Sequence, residues 1–460
     1  MLGNFEGWLV SVVAIVICWT YLLYHHGPSI ALGVSVVLSF CFPVWLVVDV
    51  GGLPLSVQTA TAIMAMLGYV VHPEGRILSP LTLLDFCIAL MCICHVTADS
   101  FATGFTIALP FRAYGEWALP FVAGRFAIRD KESLKRLAPW VVAVLFFLGV
   151  MSCCEALTKV NPFELVFGSR PEGLAHRNGE RLGIKRAFGP TTHSIFFGMI
   201  FTVLMPWLVC MWQSFDSTRI RRFILLAAVV AFAGAVLTMS RTPLLTILAV
   251  SAMTVALRVK ILRWPMGISM ALAIGGFLAF PTEITDEVSR WTGGGNRPWL
   301  IEIDGEAVVS SSSRTRLHVF GIYSNALVKG GPFGYGSMAT AGFPLKIPNM
   351  EATIKSANLF VMVDNAYILL TLRFGWLGGI CLILLFLTAI VTSFLLYTDR
   401  PDRIFPGVMG CMLAVIACFS FLLVFMNYDF GLPLLWTIGV LAGLASARIG
   451  RIPRSTRGKL

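Results

Sequence analysis

Long uncharged stretches alternate with short polar ones along most of the chain. Residues 141–150 carry no charge, and neither do residues 224–239. A hydrocarbon core about 30 Å thick takes roughly 20 apolar residues in helical form. On that measure the pattern predicts spans over 8–24, 30–48, 57–71, 80–96, 101–122, 137–157, 193–213, 223–239, 243–257, 264–280, 375–397, 404–425 and 432–447, a count of 12 to 14. The segment 101–122 is the weakest, because Arg112, Glu116 and two prolines lie inside it. It reads as broken or re-entrant, with Arg112 and Glu116 one helical turn apart as an intramembrane pair. The first apolar segment lacks a basic leader and reads as a retained helix, not a cleaved signal.

The expected fold class is all-α, a polytopic transmembrane helical bundle with a large outer loop carrying short interfacial helices. N-terminal spans (1–157) precede a basic loop (158–192), central spans (193–280), a large polar loop (281–374), and C-terminal spans with a basic tail (375–460).

Composition sharpens this picture. Of the 460 residues, 57% are hydrophobic and only 13% charged, against roughly 25% charged in soluble domains. The net charge of +11 does not imply nucleic acid, because the basic residues fall in short loops between spans. Arg125–Arg136, Arg219–Arg222, Arg258–Arg263, Arg400–Arg403 and the tail from Arg448 are such loops. Short basic loops stay in the cytoplasm, which puts 158–192 and 281–374 outside. This bookkeeping closes only if 359–374, which is short and carries Asp364 and Arg373, lies at the outer surface as a helix ending at Gly375. The eleven cysteines all lie in or beside apolar spans and read as small packing residues. No His/Cys set with ligand spacing accompanies them, so no metal is expected. Walker-type and DxD-type motifs are absent, and no cofactor is implied.

Four groups could carry chemistry. Asp364-Asn365, nine residues, then Gly375-Trp376-Leu377-Gly378 reads either as a capped helix or as a helix presenting Asp364 as a general base. Ser313-Arg314-Thr315-Arg316 leads into an apolar segment and then Gly330-Gly331-Pro332-Phe333-Gly334-Tyr335-Gly336. Arginine offers planar paired donors to phosphate, and the glycines free backbone N–H groups to face an anion. The alternative is a surface helix start and a flexible loop. Ser240-Arg241-Thr242-Pro243 sets one arginine between two apolar spans, where it snorkels to headgroups or serves a site. The loop 158–192 holds Lys185 and Arg186 near its end, and His193 opens the next span. The loop is either a tolerated charge cluster or a docking surface for a pyrophosphate head, and His193 is a structural histidine or a phosphate contact.

In their order along the chain, these pieces resemble the bacterial O-antigen ligase/polymerase family. The features that carry the resemblance are Ser240-Arg241 at the outer end of a span, Arg316 before an amphipathic segment with the turn Gly331–Gly336, and Asp364-Asn365 followed by Gly375-Trp376-Leu377-Gly378. It covers roughly Ala187 to the C-terminus. Ligases of that family typically carry His where this chain has Asp364, so the resemblance leans towards an exopolysaccharide or O-antigen polymerase or an unassigned glycan transfer. It implies a metal-independent, inverting glycosyltransferase in the bacterial inner membrane, acting on its outer face. The donor would be a glycan on undecaprenyl pyrophosphate and the acceptor a glycan or lipid-linked glycan. Membrane lipids and other polysaccharide-assembly proteins are the expected partners. Arg241, Arg316 and Asp364 would be catalytic, with Arg314, Asn365, His193, Arg186 and Lys185 binding substrate and Gly334, Gly336, Gly375 and Gly378 shaping the site. The competing readings are a polysaccharide transporter or flippase, and a non-catalytic export-assembly protein.

Overall fold

The computed structural model describes residues 4–51, 53–72, 80–128, 130–170, 180–181, 183–291, 299–303, 306–310, 315–340, 363, 365–398, 404–420 and 428–449. Helices α1 (Asn4–His26) and α2 (Pro28–Ser39) are followed by a short hairpin, β1 (Val47–Val50) and β2 (Leu53–Ser56), then α3 (Val57–Val71) and α4 (Leu83–Thr103). The weak segment forms α5 (Ala108–Ala113), a π-helical turn (Tyr114–Ala118) and α6 (Leu119–Ala127), and α7 (Lys131–Thr158) comes next. The basic loop contains α8 (Pro162–Phe167) and the two-residue strands β3 (Glu180–Arg181) and β4 (Ile184–Lys185). The central helices are α9 (Ser194–Leu204), α10 (Pro206–Ser214), α11 (Thr218–Leu237), α12 (Arg241–Arg258) and α13 (Arg263–Ala279). The large polar loop holds α14 (Pro281–Trp291), the hairpin β5 (Trp299–Ile303) and β6 (Glu306–Ser310), and α15 (Thr315–Gly330). Helices α16 (Ala366–Thr398), α17 (Ile404–Phe419) and α18 (Tyr428–Ile449) close the chain.

Each span read from hydropathy contains a helix, and the protein is an all-α, multi-pass membrane protein. The 12 to 14 expected spans are not all long helices. Eight helical segments among the described residues are long and apolar enough to cross a bilayer, and α2, α3 and α17 are shorter apolar helices. The shortfall has a physical cause: hydropathy runs through residues that turn. The predicted span 30–48 stops being helical after Ser39 and ends in β1.

Local chemistry sets many helix ends. Asp130 caps α7 by accepting the Ser133 N–H at 2.8 Å, and Asp85 reaches back to the Thr82 N–H at the start of α4. Such caps satisfy backbone donors that have no partner inside the helix. Gly104, at φ 83°, ends α4.

The helices run between two ends of one bundle. At the basic end Arg125 pairs with Asp85 at 2.8 Å, Ser446 bonds the Pro80 carbonyl at 2.8 Å, Lys135 lies over the Phe215 ring at 5.5 Å and Tyr397 bonds the Leu257 carbonyl at 3.2 Å. The helix ends bearing Arg136, Arg219, Arg221, Arg222, Arg258, Arg263 and Arg448 lie here too. At the opposite end the Val44 N–H bonds the Pro190 carbonyl (3.0 Å), Ala187 bonds Leu237 (3.0 Å) and Ala366 bonds Ser420 (3.0 Å). In the core, α6 and α18 approach so closely that a Cβ on Gly439 would stand 2.0 Å from the Phe121 carbonyl oxygen. Trp207 stacks on Trp436 beside that crossing, with ring centroids 5.5 Å apart.

Candidate functional site

The end opposite the basic loops carries three polar arrangements. The first joins two motifs that are some forty residues apart. Helix α16 breaks at Phe374 and Gly375, where Gly375 has φ 67° and ψ −168°, a conformation essentially reserved for glycine. The turn 331–336 lies across this break. The Tyr335 N–H donates to the Leu372 carbonyl (2.8 Å), Gly336 to Arg373 (2.9 Å), and Trp376 returns a bond to Gly331 (3.1 Å). A Cβ on Gly334 would meet the Gly375 nitrogen at 2.5 Å, and one on Gly375 would meet the Pro332 carbonyl carbon at 2.1 Å. Gly378 packs where its Cβ would strike Phe374. The two glycine motifs form a backbone clasp. This corrects the expectation of an anion-facing turn, since the Gly334, Tyr335 and Gly336 N–H groups are already bonded to carbonyls. Gly336 does reach the bundle: its Cβ would stand 3.2 Å from Asp99 Oδ1.

The short helix before the break lies at this same end and packs into the protein, with Asn365, Ala366, Ile368, Leu369, Leu370 and Leu372 buried. Asn365 Oδ1 accepts the Ile368 N–H at 3.0 Å, so this residue caps the helix. Tyr367 bonds the Ala417 carbonyl of α17 at 2.9 Å. Asp364 and Arg314 lie outside the described residues, as does the side chain of Arg316, whose backbone opens α15.

The second arrangement gathers the basic loop against the start of α12. Arg186 is buried, and donates from Nε to the Thr238 carbonyl at 3.2 Å and from Nη2 to Ser240 Oγ at 3.0 Å. Ser240 donates in turn to Ser194 Oγ at 3.3 Å. Arg241 is the next residue, at the first position of α12. His193 caps α9, its Nδ1 accepting the Ile195 N–H at 3.0 Å. Arg186 and His193, expected to bind substrate, and Arg241, expected to be catalytic, thus lie around one turn. Lys185 stands apart and donates to the Lys159 carbonyl at 2.6 Å, just past the end of α7.

Beneath them Glu155 holds the loop in shape. Its Oε2 accepts the N–H groups of Phe188 (3.0 Å) and Gly189 (2.8 Å), and its Oε1 accepts Asn161 Nδ2 at 3.1 Å. Arg170 pairs with Glu164 at 2.8 Å and lies between the rings of Trp45 and Phe188, at 5.2 and 4.6 Å. Buried polar and charged groups are tolerated when paired or hydrogen-bonded: Arg170 has its ion partner and Glu155 its three donors.

The third arrangement was not anticipated. His95 is fully buried in α4. Its Nε2 lies 3.4 Å from Asp99 Oδ2, one helical turn on, and its Nδ1 lies 3.6 Å from Glu116 Oε2. Trp117 Nε1 donates to the same Nδ1 at 3.2 Å. The Phe374 ring, at the α16 break, covers the imidazole with centroids 4.6 Å apart. Asp99 accepts the Ser337 N–H and hydroxyl, both at 2.6 Å. Glu116 therefore faces His95 and not Arg112, whose Nη1 points at Met338 Sδ, 3.8 Å away. The π-helical turn explains the swap, because a wider turn rotates Glu116 away from the i, i+4 row on which the Arg112 pairing depended. The i, i+4 spacing of His95 and Asp99 inside an apolar span was a readable signal of intramembrane polar residues facing inward.

Among the described residues no group of three or more His, Cys, Asp or Glu is arranged to hold a metal ion. The described cysteines are free, and Cys94 and Cys381 pack α4 on α16 with their sulfurs 3.6 Å apart. Compared with known proteins, the chain matches no family model and no curated protein.

Proposed function

We propose that the protein transfers or polymerises a glycan from an undecaprenyl-pyrophosphate-linked donor, working on the outer face of the bacterial inner membrane. The observation that carries this reading is the gathering of Arg186, Ser240-Arg241 and His193 at the end of the bundle opposite the basic helix ends. Short basic loops mark the cytoplasmic side, so this end faces outward, where a lipid-linked glycan presents its diphosphate after translocation.

Arg186 is consumed in bonds to Thr238 and Ser240. Its role is to fix the turn from which Arg241 emerges. Arg241 and Arg316 would stabilise the charge that develops on the leaving pyrophosphate. Asp364, next to the buried cap Asn365, would orient or deprotonate the acceptor hydroxyl. Direct displacement at the anomeric carbon inverts its configuration. The clasp between Gly331–Gly336 and Gly375 supports the reading by tying the end of α15, whose start carries Arg316, to the helix that follows Asp364.

The test is glycan transfer by purified protein in liposomes containing the lipid-linked donor. Chain growth or transfer that is lost in Arg241→Ala, Arg316→Ala and Asp364→Ala supports the proposal. Full activity in the two arginine variants overturns the electrostatic scheme. One observation favours a transporter instead: an ionisable cluster buried in a span, between a π-turn and a helix break. Movement of the donor into a protected compartment without transfer would select that reading.

A further inference from the structure

We propose that His95, Asp99 and Glu116 form a proton-binding site inside the bundle, loaded through Glu116, and that the bound proton strengthens the hold of Asp99 on the turn at Ser337. The inference does not depend on the glycan-transfer reading.

The geometry at Nδ1 is that of a two-way switch. Glu116 and Trp117 are neighbours in the π-helical turn, and both address the same nitrogen. Trp117 offers it a donor and Glu116 an acceptor. A neutral imidazole with its hydrogen on Nε2 accepts from Trp117 at Nδ1, while Nε2 lies 3.4 Å from Asp99 Oδ2 without a hydrogen bond to it. An imidazolium has N–H on both nitrogens, so Trp117 loses its acceptor and Glu116 becomes the partner.

Charge accounting points the same way. The groups facing the imidazole are Asp99 from α4, Glu116 and Trp117 from the π-turn, and Phe374 from α16. Cys92 and Tyr114 flank Glu116, and Ser337 is bonded to Asp99. Among the described residues no Lys or Arg forms an ion pair with Asp99 or Glu116. With both carboxylates ionised and the imidazole neutral, Asp99 is held by its two Ser337 bonds and Glu116 by its partial exposure, with no cation paired to either among the described residues, which is costly inside a span. A proton on the imidazole places a cation between them. His95 and Asp99 are nearly sealed, at 0% and 2% exposure, whereas Glu116 is 20% exposed and is the point of entry.

Asp99 links the site to the outer loop. Only the ionised carboxylate accepts both Ser337 bonds without itself donating, and an imidazolium beside it favours that form. Ser337 continues the turn 331–336 that closes on the α16 break, while Phe374, at that break, lies on the imidazole. The proton therefore acts on the clasp from both sides.

Hydrogen exchange on the full-length protein in lipid nanodiscs tests this, with rates corrected for intrinsic pH dependence and α7 peptides as the reference. Histidine ordinarily changes charge between about pH 5 and 8. Across that range the corrected exchange of 333–337 should rise about tenfold as pH increases. Glu116→Gln removes an anion that favours the imidazolium, so the midpoint should fall to lower pH. His95→Gln should abolish the step. A purely structural role would instead lower protection equally at every pH and keep the step. No step in the wild type, or a midpoint that is unmoved or raised in Glu116→Gln, overturns the proposal. Glu116 is partly exposed, so that variant remains informative if His95→Gln does not fold.

Discussion

Arg186 and Ser240 are 54 residues apart in the chain, yet Nη2 of one lies 3.0 Å from Oγ of the other. This bond joins the end of the basic loop to the residue preceding Arg241, and the Arg186 Nε bond to Thr238 braces the same turn. Met239, between the two acceptors, has φ 48°, so the turn is held in a backbone region that non-glycine residues rarely adopt.

Removing this brace should be costly. Arg186→Ala removes the donor to Ser240 Oγ and leaves the Thr238 carbonyl with the Ser240 hydroxyl alone, and a buried unsatisfied group costs about 1–3 kcal/mol. Arg186→Lys should recover little, because an ammonium on a flexible stem does not reproduce the fork. Thermal unfolding in detergent checks stability. Under the proposed function, transfer activity should fall in both variants even at temperatures where they stay folded.

The clasp predicts a contrast between glycines. Gly375→Ala must place a Cβ 2.1 Å from the Pro332 carbonyl carbon at φ 67°. Backbone strain of this kind costs about 1–3 kcal/mol before any overlap is counted. Gly267 lies inside α13 with nothing within 4 Å of its would-be Cβ. Gly267→Ala should raise stability by up to about 1 kcal/mol through helix propensity. Melting temperatures of the two variants moving in the same direction would contradict the described packing.

Glu155 is expected to be indispensable to the loop 186–189. It accepts two backbone N–H groups and the Asn161 amide. Glu155→Ala orphans all three donors in a buried place and should cost several kcal/mol, with hydrogen bonds to a charged group each contributing about 1.5–3 kcal/mol. Glu155→Gln keeps one oxygen and should be intermediate. Limited proteolysis within 170–186 should accelerate in the same order.

At the basic end, Arg125 is 5% exposed and Asp85 14%, with Nε and Oδ1 2.8 Å apart. Arg125→Ala breaks the pair and strands Asp85, a change that costs about 3–5 kcal/mol for buried pairs. Replacing both, as Arg125→Met with Asp85→Asn, should cost less than the single change, because no uncompensated charge remains. Unfolding of the single and double variants measures this directly.

The alternation of helix directions makes a topological prediction. Trp8 of α1 bonds the Leu55 carbonyl at 2.9 Å, on the side where Gln58 meets Phe42, whereas α18 runs to Ile449 at the basic end. Reporters joined before Asn4 and after Ile449 should report opposite sides of the membrane. Reporters on the same side would mean that one pass between them does not cross.

The hydropathy of the chain was sufficient to locate the helices, because a bilayer rewards apolar length wherever it occurs and every backbone group must be bonded within the segment. The cap at Asn365 and the glycine break at Gly375 were likewise legible, since both depend on the local backbone. What the chain could not disclose were encounters between distant residues. The glycines of 331–336 looked free to bind an anion, and they are closed by carbonyls of Leu372 and Arg373. Arg112 and Glu116 looked paired at regular helical spacing, and a π-turn gives Glu116 to His95 instead. Partners of buried polar groups are chosen by which helices pack together, and that choice is made by the whole bundle at once, not by any window of sequence.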